Sequence, residues 1–219
     1  MIITNHSYML YQFRRELIQK LLEKHEIVIS MPFVKKEDEF QKMGCRCIET
    51  EVDRRGINPI TDLKLLKTYS KIIKSEKPDL VITYSIKPNI YAGIVCRFKK
   101  IPYAANVQGL GTAFQKKGLA FFVTMLYKFA FGKVKTVFFE NEANAEEFQV
   151  RKIIPLSKQT ILNGAGVNLE YYSYEEYPQE ENEVHFLFVG RIMKEKGVDE
   201  LFASMRRLKK EYKDKIILD

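Results

Sequence analysis

The chain alternates short runs of β-branched and aromatic residues with longer segments in which apolar residues recur at helical spacing. The short runs predict strands at residues 2–4, 26–30, 46–50, 79–84, 103–107, 136–140, 160–163 and 184–190. The longer segments predict helices at 8–24, 61–77, 88–99, 117–132, 142–152 and 196–212. Such alternation is typical of βαβ units. We therefore predict an α/β fold with a Rossmann-like, doubly wound parallel sheet, which binds ligands at the carboxyl ends of its strands.

A change of composition near the C-terminal end predicts a domain boundary. The stretch EYYSYEEYPQEENE (170–183) is acidic, rich in tyrosine and without helical period, as expected of a linker. A new βα unit follows it, and KIILD (215–219) predicts the next strand. We expect an acceptor-side domain at 1–175, and the linker with the truncated start of a second domain at 176–219. Because the first predicted strand is short, we also expect a few residues to be missing at the front.

Composition and charge limit the classes of partner. With 46% hydrophobic and 29% charged residues, the chain can bury a full core and is not of a disordered type. Its formal net charge of +8 favours anionic partners, which include nucleic acid, anionic membranes and phosphorylated small molecules. No helix-turn-helix or RNA-binding motif occurs, so we predict no nucleic-acid partner. No apolar run has the roughly 20 residues that span a bilayer.

The three cysteines favour a reduced, cytoplasmic setting, because they are few, odd in number and not preceded by a secretory leader. Cys45 and Cys47 form a pair that can be interpreted as part of a zinc site or as two small residues in or beside a strand. The second interpretation is favoured because no other pair of ligands lies nearby in the sequence. We therefore predict no metal.

The stretch FVGRIMKEKG (188–197) predicts a strand-to-helix turn with an arginine and a lysine on either side. Gly190 permits a sharp turn, and Arg191 follows it at the carboxyl end of the predicted strand. Lys196 lies at the start of the predicted helix, where the free N–H groups and the helix dipole favour an anion. Two interpretations remain open, a clamp for a diphosphate and a solvated turn with two surface cations.

At this point the sequence resembles a known family. FVGRIMKEKGVDEL and TILNGAGVNLEYY (160–172) look like motifs of the retaining GT-B glycosyltransferases of family 4. The stretches TNHSYMLYQFRREL, ITYSIKPNIYAGI and ANVQGLGTAF resemble the bacterial branch that extends saccharides linked to polyprenyl diphosphate. The resemblance implies a GT-B fold and transfer of a sugar, with an N-acetylhexosamine favoured, from a UDP-sugar to an undecaprenyl-diphosphate-linked saccharide. It also implies that Gly190, Arg191 and Lys196 bind the donor diphosphate without a metal.

By the same resemblance, the acceptor binds to the N-terminal domain, where three loops at predicted strand ends are candidates. Lys87 is predicted at the N-cap of a helix that begins at Pro88, where a cation indicates either a nearby phosphate or simple exposure. His6 either contacts the acceptor or caps a helix, and the arginines after it either bind a diphosphate or are solvated. Gln108 stands where many relatives have histidine, so it can hydrogen-bond but not titrate. The candidates are Asn5, His6, Tyr8, Arg14, Tyr84, Lys87, Gln108, Gly109 and Gly111.

The segment KKGLAFFVTMLYKFAFGKVK (116–135) predicts an apolar helix with basic residues at both ends. One interpretation is docking on an anionic membrane, which would place the protein peripherally at the inner face of the plasma membrane, beside a polyprenyl acceptor. The other is an ordinary buried helix with lysines at its rims. Both remain open from the sequence.

Two other functions stay as alternatives. The first is an inactive fragment that retains only acceptor or membrane binding, since the resemblance predicts a larger second domain and hence little transferase activity for these 219 residues. The second is a sugar-nucleotide epimerase of the same two-domain architecture, which the turn and linker motifs favour less.

Overall fold

A computed structural model describes residues 1–54, 56, 58–111, 114, 117–177 and 183–219. The described chain forms two compact units, Met1–Val167 and Asn168–Asp219. The predicted boundary, between residues 175 and 176, lies shortly after the division between these units. Residues 178–182 of the predicted linker fall outside the described residues.

The first unit is built on a seven-stranded parallel sheet. Its strands are β1 (Ile2–Ile3), β2 (Val28–Met31), β3 (Arg46–Glu49), β4 (Val81–Tyr84), β5 (Tyr103–Val107), β6 (Thr136–Phe139) and β7 (Gln159–Ile161). Their order is β3-β2-β1-β4-β5-β6-β7, and every neighbouring pair is parallel. The chain therefore winds outward from β1 in one direction, crosses back, and continues from β4 in the other. This confirms the predicted doubly wound sheet.

Helices connect the strands of the first unit. They are α1 (Ser7–Leu22), α2 (Glu37–Lys42), α3 (Pro59–Glu76), α4 (Ile86–Lys99), α5 (Lys117–Phe131) and α6 (Glu142–Val150). The short helix α2 was not predicted, because six residues are too few to show a helical period. Two starts have clear local causes. Asn58 is the N-cap of α3, and its side chain accepts a hydrogen bond from the backbone N–H of Ile60 in that helix. Asn141 is the N-cap of α6, and its side chain accepts one from the backbone N–H of Asn144.

Both faces of the sheet are covered. Ile2 and Ile3 are neighbours in β1 and fully buried, yet they belong to two different apolar clusters, because successive strand residues point to opposite faces. One cluster includes Leu10 and Ile18 of α1. The larger cluster, on the other face, includes side chains of α3, α4, α5 and α6. Parallel sheets require this covering because their strands are apolar on both faces.

The second unit contains one βαβ motif. It consists of β8 (Val184–Phe186), a 3-10 turn (Lys194–Lys196), α7 (Val198–Tyr212) and β9 (Ile216–Leu218), with the two strands parallel. The predicted strand at 184–190 is too long, because its ladder with β9 ends at the pair Phe186 and Leu218. The helix predicted at 196–212 starts at Val198 in the structure, two residues later than predicted. Gly197 has a φ of 70°, in the left-handed region, so regular helix starts only after it.

Candidate functional site

The carboxyl ends of β1, β4 and β5 meet at one edge of the first unit. The three strands are neighbours in the sheet and run in the same direction, so the loops that follow them lie side by side. A cavity of about 170 Å³ opens between these loops. The sheet therefore forms its cavity where doubly wound folds bind ligands.

Four of the predicted acceptor-side residues line this strand-end cavity. They are Asn5 after β1, Lys87 in the first turn of α4, and Gln108 and Gly109 after β5. The structure brings these residues together although up to about a hundred residues separate them in the sequence. The remaining candidates do not line the cavity: His6, Tyr8, Arg14, Tyr84 and Gly111. Gly111 has a φ of 64°, and a Cβ atom there would come within 3.0 Å of Ile86.

Lys87 is engaged inside the protein. Its Nζ lies 2.6 Å from a carboxylate oxygen of Asp62, and the hydroxyl of Tyr91 donates to the other oxygen at 2.8 Å. The prediction of Lys87 at the N-cap was wrong, because α4 begins at Ile86 with Ser85 as its N-cap. Simple exposure of Lys87 is also excluded by the ion pair with Asp62. A phosphate contact from Lys87 stays a prediction.

Arg14 lies in a buried ion pair. Its side chain is only 6% exposed, and its guanidinium donates to the Glu140 carboxylate after β6 and to the carbonyl oxygen of Phe13. The same guanidinium lies 5.5 Å from the ring centroid of Tyr84. Burial raises the pKa of Tyr84, and Arg14 opposes that rise. The solvated alternative for Arg14 is therefore wrong, and a contact with an acceptor diphosphate stays a prediction.

His6 occupies the N-cap of α1, but its side chain makes no capping hydrogen bond. Its Nδ1 is buried and has no hydrogen-bond partner among the described residues. Burial lowers the pKa of His6, and the positive charge of Arg54 lowers it further. The imidazole is therefore neutral at pH 7 and offers no positive charge to a ligand.

Four further polar residues line the strand-end cavity and were not among the predicted site residues. Arg54 reaches the cavity from the loop after β3, and Ser85, Asn89 and Asn106 come from the β4–α4 and β5 segments. Ser85 has φ 76° and ψ 160°, a conformation that is strained for any residue except glycine. Ser85 and Asn106 lie in segments that the sequence indicated, Asn89 is a polar residue in a mostly apolar helical stretch, and Arg54 carried no signal.

A second cavity lies beside the first. It measures about 690 Å³ and is lined by residues after β3 and on α3. Its carboxylates are those of Glu49, Glu51, Asp53 and Asp62, and Lys87 borders both cavities. The sequence contained no signal for this cavity, because the residues that line it come from separate segments.

The predicted donor turn lies in the second unit. Gly190 and Arg191 follow β8 after a gap of a few residues, and Lys196 ends the 3-10 turn before α7. Arg191 and Lys196 are both exposed. The first turn of α7 contains Asp199 and Glu200, whose charges offset the positive end of the helix. Binding of a diphosphate by this turn stays a prediction.

An aromatic patch covers the outer face of α5 and the end of α4. We call it the α5 patch; its members are Phe98, Phe121, Phe122, Met125 and Phe129. Phe98 and Phe121 are 70% and 69% exposed, whereas the opposite face of α5 is buried. The interpretation of this segment as an ordinary buried helix is therefore incomplete. Residue 116 of the predicted segment lies outside the described residues.

Basic residues accompany the α5 patch. Lys99 and Lys100 are at the end of α4, Lys128 is on α5, and Lys133 and Lys135 follow α5. Arg97 lies 4.4 Å from the ring centroid of Phe129 and donates to its carbonyl oxygen, so it joins the ends of the two helices. None of the helices in the described part of the chain has the length and apolar content to cross a membrane.

Cys45 and Cys47 lie in or beside a strand, and their thiols are shielded from solvent. Cys47 lies in β3 and Cys45 just before it, and burial raises the pKa of each thiol to about 11. The nearby Cys47 and Glu37 add smaller effects of the same sign on Cys45 and Cys47, respectively. Within the described ranges, no group of three or more histidine, cysteine or acidic side chains is placed to hold a metal ion.

We expect Cys45 and Cys47 to alkylate about ten-fold more slowly in the folded chain than in the unfolded chain at pH 8. Two pKa units reduce the thiolate about a hundred-fold, and the greater nucleophilicity of the more basic thiolate restores part of that loss. Iodoacetamide labelling with and without urea, followed by peptide mass spectrometry, measures both rates. Equal rates at either cysteine would contradict the burial of that thiol.

Comparison with known proteins identifies the class of the chain. Residues 2–141 match the glycosyl transferase 4-like family, so the chain belongs to this family. The match rests on the front part of the chain, whereas the most specific motif in the sequence, FVGRIMKEKG, lies beyond it. The predicted resemblance to family 4 is confirmed by this independent part of the chain.

Individual relatives agree with the family. The chain is 27% identical over 218 residues to the N,N'-diacetylbacillosaminyl-diphospho-undecaprenol alpha-1,3-N-acetylgalactosaminyltransferase of Campylobacter jejuni, covering 91% of this chain and 58% of that enzyme. The fold resembles a glycosyltransferase from Rickettsia africae (TM-score 0.63, 16% identity, 100% of this chain and 67% of that one). It also resembles a UDP-N-acetylglucosamine 2-epimerase from Rickettsia bellii (0.57, 15%, 100% and 60%). The fold is therefore of the GT-B type, and the chain spans little more than half the length of the Campylobacter relative.

Proposed function

We propose that this chain is the acceptor-side part, with the beginning of the nucleotide-sugar part, of a retaining glycosyltransferase. The enzyme would transfer a sugar from a UDP-sugar to a saccharide linked to a lipid diphosphate, in the synthesis of a surface polysaccharide or glycan. The observation that carries this proposal is the 27% identity over 218 residues to an enzyme whose name specifies an undecaprenyl-diphosphate-linked acceptor. The same name supports an N-acetylhexosamine as the transferred sugar.

The two units suit different parts of the reaction. The strand-end cavity of the first unit offers amide, hydroxyl and guanidinium groups, which can hold a sugar by hydrogen bonds. In the second unit, Arg191 and Lys196 would neutralise the charge that develops on the departing UDP. Preorganised cations can stabilise that charge without a metal, and removal of one such group typically lowers kcat by about 10²–10³-fold.

We further propose that the protein works at the inner, cytoplasmic face of the membrane, where the α5 patch rests on an anionic surface. Exposed aromatic side chains with lysines around them are the combination that binds anionic lipid interfaces. Phe121 and Phe122 lie in the first half of α5, which begins at the strand-end edge, so docking through them would place that edge near an acceptor whose lipid chain is in the bilayer.

The transfer assay combines a UDP-N-acetylhexosamine with a synthetic undecaprenyl-diphosphate-linked saccharide and detects the extended product by mass spectrometry. We expect little transfer by these 219 residues alone, because they span only 58% of the Campylobacter relative. Any product that forms should also form in the presence of EDTA, and no new sugar nucleotide should form when the acceptor is omitted. Interconversion of the UDP-sugar without acceptor would instead indicate an epimerase.

Acceptor binding by the 219-residue chain is measured in parallel, by intrinsic tyrosine fluorescence or by NMR. Binding without transfer is the result expected if these residues hold only the acceptor side of the reaction. Neither binding nor transfer, with several UDP-sugars and acceptors and with a chain shown to be folded, would contradict the proposed function.

A further inference from the structure

The floor of the strand-end cavity contains a buried polar group without a partner. Asn89 is only 1% exposed and lines the cavity. Its Nδ2 donates to the carbonyl oxygen of Asn106 at 2.9 Å, while its Oδ1 accepts no hydrogen bond from any residue that the structure describes. A buried acceptor without a donor costs free energy, and so it indicates a place that a ligand group completes.

The neighbouring tyrosine supports this orientation of the Asn89 amide. Burial raises the pKa of Tyr127, and the Asn89 side chain opposes the rise. An amide N–H that faces the phenol lowers the pKa of the tyrosine because it can donate a hydrogen bond to the phenolate, whereas an amide oxygen cannot. The donor end of Asn89 is therefore directed at Asn106 and Tyr127, and Oδ1 is the end without a partner.

The start of α4 supplies the opposite kind of group. The backbone N–H groups of Ile86 and Lys87 precede the first intrahelical bond of α4, which runs from the Asn89 N–H to the Ser85 carbonyl. Both residues line the cavity, as does Ser85 with its hydroxyl. The cavity thus presents donors from the helix start and one buried acceptor.

We propose that this cavity binds a single pyranose ring of the substrate, and that Asn89 Oδ1 accepts a hydrogen bond from a hydroxyl or acetamido N–H of that ring. A fully ionised phosphate brings only acceptors, so it would leave Asn89 Oδ1 unpaired and repel it. A sugar ring brings both donors and acceptors. The proposal therefore places a sugar, and not the diphosphate, beside the start of α4.

The size and charge of the cavity agree with one ring. Its volume of about 170 Å³ is well above the ~10–15 Å³ that one water needs and below the roughly 300–1,000 Å³ of sites for drug-sized ligands. Lys87 is already paired with Asp62 and does not require an anion, whereas Arg54, the other cation on the lining, can hold a phosphate that is attached to the ring. This inference adds detail to the proposed function and rests on it for the source of the sugar. The ring would belong either to the UDP donor or to the terminal sugar of the acceptor.

Binding is tested by NMR on the folded, ¹⁵N-labelled 219-residue chain, with methyl N-acetylgalactosaminide as the sugar probe and inorganic pyrophosphate as the phosphate probe. We expect the glycoside to shift the Asn89 side-chain amide and the Ile86 and Lys87 backbone amides, and pyrophosphate to leave them unchanged. Shifts with pyrophosphate and none with the glycoside would overturn the proposal.

Variants and altered ligands test the role of Asn89. Asn89→Leu is expected to weaken glycoside binding about ten-fold or more. Thr83→Val is the matched control, because it also removes a buried bond from a side chain to a backbone carbonyl but does not line the cavity, and it should bind normally. If Asn89→Leu does not fold, a series of deoxy glycosides replaces it, and one missing donor should cause the same loss. Equal binding of all analogues would refute the proposal.

The source of the sugar is decided by two further ligands. UDP-N-acetylgalactosamine and a short-chain prenyl-diphosphate-linked saccharide are each titrated, and the one that shifts the Asn89 amide supplies the ring. Glycoside binding here, together with interconversion of the UDP-sugar when no acceptor is present, would contradict the transferase proposal alone. Transfer that occurs while neither ligand shifts the Asn89 amide signal would contradict the sugar subsite and leave the transferase proposal standing.

Discussion

Replacing Glu140 by alanine is expected to lower the free energy of unfolding by about 2–4 kcal/mol. The change leaves the Arg14 guanidinium buried, at 6% exposure, without its carboxylate. Stranding one partner of a fully buried ion pair costs about 3–5 kcal/mol, and the lower estimate here allows for Glu140, which is 21% exposed. The pair joins α1 to the end of β6, so the cost falls on the sheet edge that carries the strand-end cavity.

A sharper test compares the losses of unfolding free energy among the single and double variants. Arg14→Met should cost less than Glu140→Ala, because a solvated carboxylate is cheaper to leave unpaired than a buried guanidinium. The double variant should cost less than the sum of the two single variants, since only one interaction is lost. Urea unfolding followed by far-UV circular dichroism provides the values. Additive costs, or a larger cost for Arg14→Met, would show that the pair does not work as described.

The double substitution Phe121→Ser and Phe122→Ser is expected to weaken binding to anionic vesicles roughly 30- to 150-fold. Full burial of one phenylalanine contributes about 1.5–3 kcal/mol, and partial insertion at an interface gives about 1–1.5 kcal/mol for each. The sum of 2–3 kcal/mol corresponds to that change in affinity. Both side chains are on the exposed face of α5, so the substitutions should leave the fold intact. Co-sedimentation with vesicles rich in anionic lipid measures the effect.

The matched control is Val150→Ser, since Val150 is an exposed apolar residue at the end of α6 and not part of the α5 patch. It should bind vesicles like the unmodified chain. Binding should also fall with added salt and with neutral lipid, because each lysine near an anionic surface contributes about 1 kcal/mol. No binding at low salt by the folded, unmodified chain would exclude docking through this patch.

The strand and helix pattern was well predicted where local periodicity is strong. The strand at 103–107 agrees in both bounds with β5, because four of its five residues are apolar and it is bounded by Pro102 and the Gln108–Gly109 turn. The predicted strand at 184–190 is wrong in its end, and helix α2 was missed. Both depend on short segments, in which pairing with another strand or packing against the sheet outweighs local preference.

The fold brings some of the predicted site residues together in one cavity and places the others elsewhere. Asn5, Lys87, Gln108 and Gly109 meet because parallel neighbours end at one edge, which a strand pattern can indicate. The partners of the charged residues could not be predicted in this way. Arg14 and Glu140 are 126 residues apart, and Lys87 and Asp62 are 25 apart, so nothing local identifies either pair.

The amino-acid pattern alone was sufficient for the fold class, the family resemblance and the strand-end loops, because each depends on periodicity or on residues adjacent in the chain. The tertiary structure was needed to show which cations are already neutralised, which face of α5 is exposed, and that Asn89 lies at the floor of a cavity with its oxygen unpaired. These properties depend on burial and on groups brought together from distant segments. Burial sets the cost of an unpaired charge or oxygen, and it is not encoded in the spacing of residues along the chain.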